Sequence, residues 1–546
     1  MNSTSRQVER VLVIGLDGAT FDALTPWAQS GHMPNLARLT ATSALSVLRS
    51  TKPYITPVAW TTFQTGCDPS EHGIFDYRYL DHARRRLQLN HAGRIERATL
   101  FDAVSAAGGE VVSLNLPMTY PAPAGVRGIV VGGLDSPSIE AALAPYPEFA
   151  ERMQESGARY DLATIWRRKP TTFDELADGV AQTRAAFFGQ VAAARLADQM
   201  TDWQLMVVQF QALDALAHRC WHLLEVDPDA SEPAAWIGKA RQALVALDDC
   251  LGELMELAAR RRAAVVALSD HGFGPFREKI SLPELLSRRG LVRLPGGGAA
   301  AGFYLRRCGW KVRKYLWRRL RPGQSSARLT RPLGCLLPID WRRSVALALH
   351  GNLGGLVYLN TRRRFGGSAL VTESQREQAV CDTIAAFDEA RHPGTGERLF
   401  EETFGTAERF GQDPVERQWP DVVAIPAPGF HTRHKFESSP RLMRGDPNLV
   451  ATHRREGVLL VDAPLMRIGQ GHAADLRDVA PIILHLLGVP PRQRMTGRVP
   501  WSMLSPESAA APAESVCARS RVPAACITDS DQLTVEARLR DLGYMD

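Results

Sequence analysis

The chain has 546 residues, 45% hydrophobic and 23% charged, which excludes a disordered, collagenous or coiled-coil polypeptide. Its 65 Lys+Arg against 59 Asp+Glu give a net charge of +6, mild over this length and no argument by itself for a nucleic-acid partner. At roughly 150 residues per domain the length allows three or four units, or one large α/β sheet with insertions.

The N-terminus, MNSTSRQVER, is polar and runs straight into a strand-like segment. It lacks the apolar region and small-residue cleavage site of a signal peptide. No apolar run approaches the roughly 18 residues of a spanning helix. The eight cysteines (67, 220, 250, 308, 335, 381, 517 and 526) form no CxxC pair. That speaks against a thiolate metal site and for a reducing, cytoplasmic setting.

The first element is Val11–Leu16 (VLVIGL), a short apolar run that reads as a buried strand and stops at Asp17. Thr56-Pro57 then opens TPVAWTTFQTG. Thr is a favoured N-cap and Pro a favoured first helical residue, so a helix to about Gln64 is expected, with Gly66 as its stop. The Thr56 hydroxyl then lies at a helix N-terminus, where free N–H groups favour an anion such as phosphate. An ordinary capping threonine is the competing reading.

A long helix with an alanine-rich face follows at Asp178–Met200. Leu205–Phe210 (LMVVQF) is a second buried strand, followed four residues on by Asp214, with His218 one helical turn further. His222 shares that face, so a solvated histidine stripe is the alternative. After a helix at Ala234–Arg260, the third strand, Ala264–Ser269 (AVVALS), ends at Asp270-His271, a sequence that also suits a plain turn. Later strands are expected at Ser344–Leu349, Leu356–Leu359, Val422–Ile425 and Gly457–Val461. A helix over Asp475–Leu487 is closed by Gly488 and Pro490.

Strands alternating with helices define an α/β fold with a large, mostly parallel central sheet sandwiched by helices. Two stretches look added to it. Residues 306–331 hold ten Lys/Arg and no acid, interleaved with Trp310, Tyr315 and Trp317; residues 509–531 are rich in Ala, Ser and Pro, and a helix at Leu533–Leu542 follows. The expected organisation is a catalytic core in two parts, 1–290 and 341–505, a basic insertion or cap at 291–340, and a linker with C-terminal helix at 506–546. The basic stretch suits an anionic substrate or a peripheral membrane contact through 306–331, with a solvated helix as the alternative.

Ligands of open α/β sheets bind outside the carboxyl ends of the strands. Asp17, Asp214 and Asp270, with His218 and His271, stand at three such ends in distant parts of the chain. Asp and His suit zinc, manganese or similar divalent ions. Each Asp alone is equally a helix cap; three together at strand ends point to one crevice.

These pieces resemble the alkaline-phosphatase superfamily, and within it the type I phosphodiesterase/nucleotide pyrophosphatase family. The resembling segments are GLDGATFDAL (15–24), MPNLARL (33–39), TPVAWTTFQTGCDPSEHGIFDY (56–77), LPMTYPAP (116–123), the D-x-x-x-H of Asp214 and His218, SDHGFGP (269–275), THRREG (452–457), DLRDVAPIILHLLGVP (475–490) and the terminal DLGYMD (541–546). The resemblance implies an alkaline-phosphatase-like fold with an inserted cap-like region, and two divalent metal ions, by family habit zinc. It implies that Asp17, Thr56, Asp270 and His271 hold one ion and Asp214, His218 and His453 the other. Thr56 is then the catalytic nucleophile, forming a phosphothreonine.

The implied activity is hydrolysis of a phosphodiester or nucleotide pyrophosphate in a small phosphorylated substrate. The alternative is a phosphomonoesterase or phosphotransferase on the same site. Family members use an asparagine on the phosphoryl oxygens. It has no evident match here, since position 59 is Ala59; Lys52 and Asn352 are candidate substitutes. Cys67-Asp68-Pro69-Ser70-Glu71 approaches a sulfatase motif, but Glu71 stands where that motif has arginine. His72 is expected to pack. A scaffold with a degenerate site is disfavoured by the completeness of both ligand sets. No nucleic-acid reading module is evident, so no specific nucleic-acid binding is expected. The sequence leaves the oligomeric state unknown.

Overall fold

In the computed structural model, the described residues are 8–84, 86–164, 166, 168–224, 234–294, 305, 308–309, 312, 339–351, 353–366, 369–434, 441–464, 466–505 and 527–545. The three apolar runs become adjacent parallel strands. The sheet they nucleate has eight strands: β1 (Arg10–Leu16), β2 (Ala44–Arg49), β3 (Glu110–Leu116), β4 (Gly128–Gly132), β5 (Trp203–Phe210), β6 (Ala263–Leu268), β7 (Glu456–Asp462) and β8 (Gly469–Asp475). Their spatial order is β8-β2-β7-β6-β1-β5-β3-β4. Every neighbouring pair is parallel except those of β7, which opposes both β2 and β6.

Both faces of this sheet are covered. The principal helices are α1 (Thr56–Thr65), α2 (Phe173–Met200), α3 (Ala212–Leu224), α4 (Ala234–Arg261) and α5 (Val479–Leu487). Side chains alternate across a strand. Leu12, Ile14 and Leu16 of β1 join Met206 and Val208 of β5 in a core closed by α2, α3 and α4. Val11 and Val13 join Leu205 and Val207 in a second core, closed by α1 and α5. A strand buried on two faces has no polar side to show, which is why these segments read as unbroken apolar runs.

The expected elements return with small shifts. The second helix begins at Phe173 rather than 178, because Thr172 accepts the Glu175 N–H and caps it earlier. The segment expected as one helix over 475–487 is a strand to Asp475, a 3₁₀ turn and then α5. The C-terminal helix spans Asp529–Leu542: a capping box between Thr528 and Asp531 starts it inside the stretch assigned to the linker. Strands β2, β3, β4 and β8 were not anticipated. β8, GQGHAAD, is a polar edge strand with almost no buried side chain to give it away.

The chain divides into two compact units. The first comprises residues 1–74, 91–275 and 447–526; the second comprises 75–90, 276–446 and 527–546. The sequence boundaries at 291 and 340 differ from this division. The strands expected to return to the core at 344–359 and 422–425 instead build their own antiparallel sheet, in the order Ala346–His350, Gly355–Leu359, Val422–Pro426, Phe400–Gly405. They share an apolar cluster with the helices Leu282–Arg288 and Arg376–Asp388. Arg364 and Asp421 form a fully buried ion pair there, 2.9 Å apart. Most of the basic stretch 306–331, and the linker over 506–526, lie outside the described residues.

In α2 of the first unit, a methyl placed on Gly189 would lie 1.9 Å from the Arg159 carbonyl oxygen. Gly→Ala within a helix ordinarily stabilises by about 1 kcal/mol. Here the sign should reverse: Gly189→Ala should cost about 1–3 kcal/mol through overpacking, read as a lower urea midpoint with an unchanged slope.

Candidate metal centre

The loops leaving β1 and β6 bring Asp17, Asp270 and His271 together with Asp214 and His218 from α3, which follows β5, and the short strand Ala451–Arg454 delivers His453. That strand pairs antiparallel with Gly272–Pro275, setting His453 opposite Phe273. The Phe273 ring lies against His218, His271 and His453, 4.7, 5.7 and 5.1 Å between centroids, and forms an apolar back wall. After Asp17 the chain turns through Gly18 at φ +73°, and the Gly18 N–H donates to Asp270 Oδ1 at 3.2 Å. A Cβ at Gly18 would strike the Phe273 ring at 2.3 Å, so both conformation and space require glycine there.

Two ligand groups result. His271 Nε2 lies 3.3 Å from Asp270 Oδ2 and 3.7 Å from Asp17 Oδ1. His453 Nε2 and His218 Nε2 lie 3.2 and 3.6 Å from Asp214 Oδ1, and 3.1 Å from each other. His271 stands between the groups, with Nε2 also 4.0 Å from Asp214 Oδ1. Asp17, Asp214, Asp270 and His271 are fully buried, and His453 and His218 nearly so.

The imidazole orientations are fixed from behind. His218 Nδ1 faces the Ala451 carbonyl at 3.1 Å, His271 Nδ1 the Gly272 carbonyl at 3.2 Å, and His453 Nδ1 the Tyr54 carbonyl at 3.3 Å. A carbonyl only accepts, so each Nδ1 carries the hydrogen and each Nε2 turns a lone pair inward. Burial pushes the His218 pKa down to about 4, against the pull of Asp214. Burial, then the neighbouring His453, holds His271 well below its usual value. Burial, then Asp270 and Asp214, holds Asp17 well above the ordinary carboxylate range, and burial followed by Asp214 does the same to Asp270.

This cluster is therefore a set of inward-facing acceptors. Asp17 Oδ1, Asp270 Oδ2 and His271 Nε2 are buried and have no hydrogen-bond partner. Lone pairs gathered at 3–4 Å in a dry site repel unless a cation lies among them. Two sets of three, Asp17–Asp270–His271 and Asp214–His271–His453, each have ligand atoms within 4.8 Å of one another. Asp and His donors fit divalent ions of the zinc type, and carbonyl-anchored imidazoles are the usual second-sphere arrangement of such sites.

Thr56 is not the N-cap that its sequence position suggested. The N-cap of α1 is Ile55, with φ −122° and ψ 148°, and Thr56 is the first helical residue. Its Oγ1 is buried and caps nothing. The segment around it is tied to both ligand groups: the Tyr54 carbonyl holds His453, and the Trp60 indole N–H donates to Asp17 Oδ2 at 3.1 Å. His72 stays outside the cluster, paired with Thr62 Oγ1 at 3.1 Å and accepting the Ile74 N–H. Sequence reading missed Gln209, whose amide donates to Asp17 Oδ2 at 2.5 Å. The one polar residue among the apolar ones of LMVVQF was the available signal. Asn352 lies outside the described residues.

A doubly covered, mostly parallel sheet with acids and imidazoles at its strand ends describes a class of α/β hydrolases. Residues 11–318, more than half of the chain, match the model of the family "Type I phosphodiesterase / nucleotide pyrophosphatase". The chain belongs to that family and is a hydrolase of phosphoric ester bonds. The family is metal-dependent. No curated protein sequence matches it significantly.

Among solved structures, phosphonoacetate hydrolase from Sinorhizobium meliloti is similar in fold, with a TM-score of 0.51 and 15% identity over 88% of this chain and 97% of that one. Human ectonucleotide pyrophosphatase/phosphodiesterase 5 gives 0.49 and 13% over 90% of this chain and 98% of that one. An inactive form of its murine counterpart, in complex with AMP, gives 0.49 and 13% over 91% of this chain and 100% of that one. No helix among the described residues is long and apolar enough to cross a membrane.

The acceptor cluster generates a stability prediction. Adding a chelator to zinc-loaded protein should lower its stability by about 3–4 kcal/mol, the linkage expected when free metal had stood at 100–1,000 times its dissociation constant. Thermal unfolding with and without chelator measures it; coincident curves would contradict a cation in the cluster.

Proposed function

We propose that this protein is a phosphodiesterase acting through Thr56, with two zinc ions held by Asp17, Thr56, Asp270 and His271 and by Asp214, His218 and His453. The observation that carries the reading is Thr56 itself. It is a buried hydroxyl without a hydrogen-bond partner, at the N-terminus of α1, on a segment that contacts both ligand groups.

When bound, the metal ions supply Lewis acidity to the phosphoryl oxygens and favour the ionised forms of nucleophile and leaving group. The chain does the rest. Asp17, Asp214 and Asp270 counter the added positive charge, and the three imidazoles, anchored at Nδ1, keep their lone pairs aimed inward. The Thr56 N–H at the start of α1 receives a phosphoryl oxygen, since Pro57 has no N–H and the Val58 N–H is bonded to the Ile55 carbonyl. Thr56 Oγ attacks phosphorus in line, the bond to the leaving alcohol breaks, and that alcohol departs with a proton. Water then attacks the phosphothreonine, which releases the monoester and restores the hydroxyl. Phe273 and the surrounding core exclude bulk water from the back of the site. The substrate class is a small phosphodiester. The five described cysteines are free thiols, which supports a cytoplasmic setting.

Hydrolysis of paired aryl phosphate mono- and diesters by zinc-reconstituted protein tests the reading. The diester should be preferred. Thr56→Ala should lower kcat by roughly a thousandfold or more, as loss of a nucleophile does, with metal content and unfolding midpoint retained, and Thr56→Ser should keep part of the rate. Full turnover by Thr56→Ala removes the nucleophile assignment, and preference for the monoester moves the enzyme to the phosphomonoesterase class.

A further inference from the structure

Gln209 is the last polar interruption one would design into β5. It is fully buried, whereas Gln204, the other polar residue of the strand, is partly exposed near its start. Its amide Nε2 donates to Asp17 Oδ2 at 2.5 Å. The same oxygen receives the Trp60 indole N–H at 3.1 Å. Two donors occupy Oδ2, and Oδ1 is left without any. The two oxygens of one carboxylate are thereby made unequal by the protein itself.

The approach is built into the backbone. Gly15 is the direct register partner of Gln209 across the β1–β5 ladder. A Cβ at Gly15 would lie 2.8 Å from Trp60 Cη2 and 3.2 Å from Gln209 Cγ. Glycine at that place lets both side chains reach across β1 to Asp17. On the far side, Gln209 is held in turn. Asn115 Nδ2 lies 3.4 Å from both the backbone carbonyl and the Oε1 of Gln209. Asn115 stands where the β3–β4 register slips between Leu114 and Leu116, with φ +64°. A bulge with a left-handed non-glycine residue is an unfavoured backbone arrangement that re-aims one side chain. Here the re-aimed side chain meets Gln209.

We propose that Gln209 is a positioning residue for the metal centre. With Trp60, and steadied by Asn115, it engages Asp17 Oδ2 so that Asp17 offers a single oxygen, Oδ1, to the ion it shares with Thr56. A carboxylate free to turn would take two coordination positions or swing away, and one of those positions is needed for the nucleophile. Because Trp60 belongs to α1, the same contact ties the orientation of Asp17 to the helix that carries Thr56. The inference rests on the proposed role of Asp17 as a ligand.

The test compares wild type with Gln209→Met, which keeps the shape and removes the amide, and with Asn115→Gly, which keeps the φ and frees Gln209. Asp17→Asn is the control. Zinc affinity at each site is measured by competition with a chromophoric chelator, and coordination by the absorption spectrum of cobalt(II)-substituted protein. Gln209→Met should weaken one of the two sites about 10–100-fold, the range for loss of an outer-sphere partner, and alter the cobalt(II) spectrum of that site alone. Asn115→Gly should shift both readouts the same way by less. Wild-type affinities and spectra in Gln209→Met, or in Asn115→Gly should Gln209→Met not fold, overturn the inference. If Asp17→Asn also binds both ions as wild type does, the ligand role of Asp17 falls first. If it loses one ion while the Gln209 and Asn115 variants lose nothing, the positioning role alone falls.

Discussion

Asp17, Asp214 and Asp270 are completely buried, and their carboxylates converge with the Nε2 atoms of three histidines within about 4 Å. Charges of one sign in a dry space repel strongly, and the neutral imidazoles bring only further lone pairs. Burial and the neighbouring carboxylates raise the pKa values of Asp17 and Asp270 well above the ordinary carboxylate range. A cation resolves the same conflict without protonation. Much of the surrounding structure is intelligible as what keeps these groups from escaping it: three backbone carbonyls behind the imidazoles, the Gly18 N–H on Asp270, and the Phe273 ring closing the back.

The sheet makes the convergence possible. β1, β5 and β6 are adjacent and parallel, so their carboxyl ends lie side by side and the three loops after them share one crevice. Their mutual register is secured from both faces by large apolar cores. The burial that makes the strands rigid also removes water from the residues at their ends. Stability and reactivity thus draw on the same arrangement. His453 shows how little more is required: a four-residue strand pairing with Gly272–Pro275 suffices to add it from some 180 residues further along the chain.

The legible part of the sequence was the part with strong periodicity or strong chemistry. Val11–Leu16, Leu205–Phe210 and Ala264–Ser269 announce themselves because strands covered on both faces admit little but apolar side chains. The acids after them stand out because an Asp follows each at or near its end. β8 was opaque for the opposite reason, since an edge strand exposed to water carries mixed side chains, and β2, between β8 and β7, mixes Ser46 and Arg49 with its apolar residues. His453 was visible only through resemblance, as a strand of four residues has no period to read. The strands at 344–359 and 422–425 were expected in the main sheet because short antiparallel strands look, in sequence, like further strands of it. Only the pairing pattern separates them.

Gln209 marks a deeper limit. A single amide in a buried strand is ordinarily a liability, because burying it without partners costs several kcal/mol in an apolar medium. Its retention is intelligible only when its partners are known, and these, Asp17 just after β1 and Asn115 on β3, are far away in sequence. Sequence marks the anomaly but not its resolution. The same logic applies to Asn115 and Gly15: one adopts an unfavoured backbone, the other gives up a side chain, and both departures meet at Asp17. Local preference was overruled three times within a few ångströms, on three different strands. Independent departures of that kind converge where geometry matters more than stability, and here they converge on one oxygen of one carboxylate.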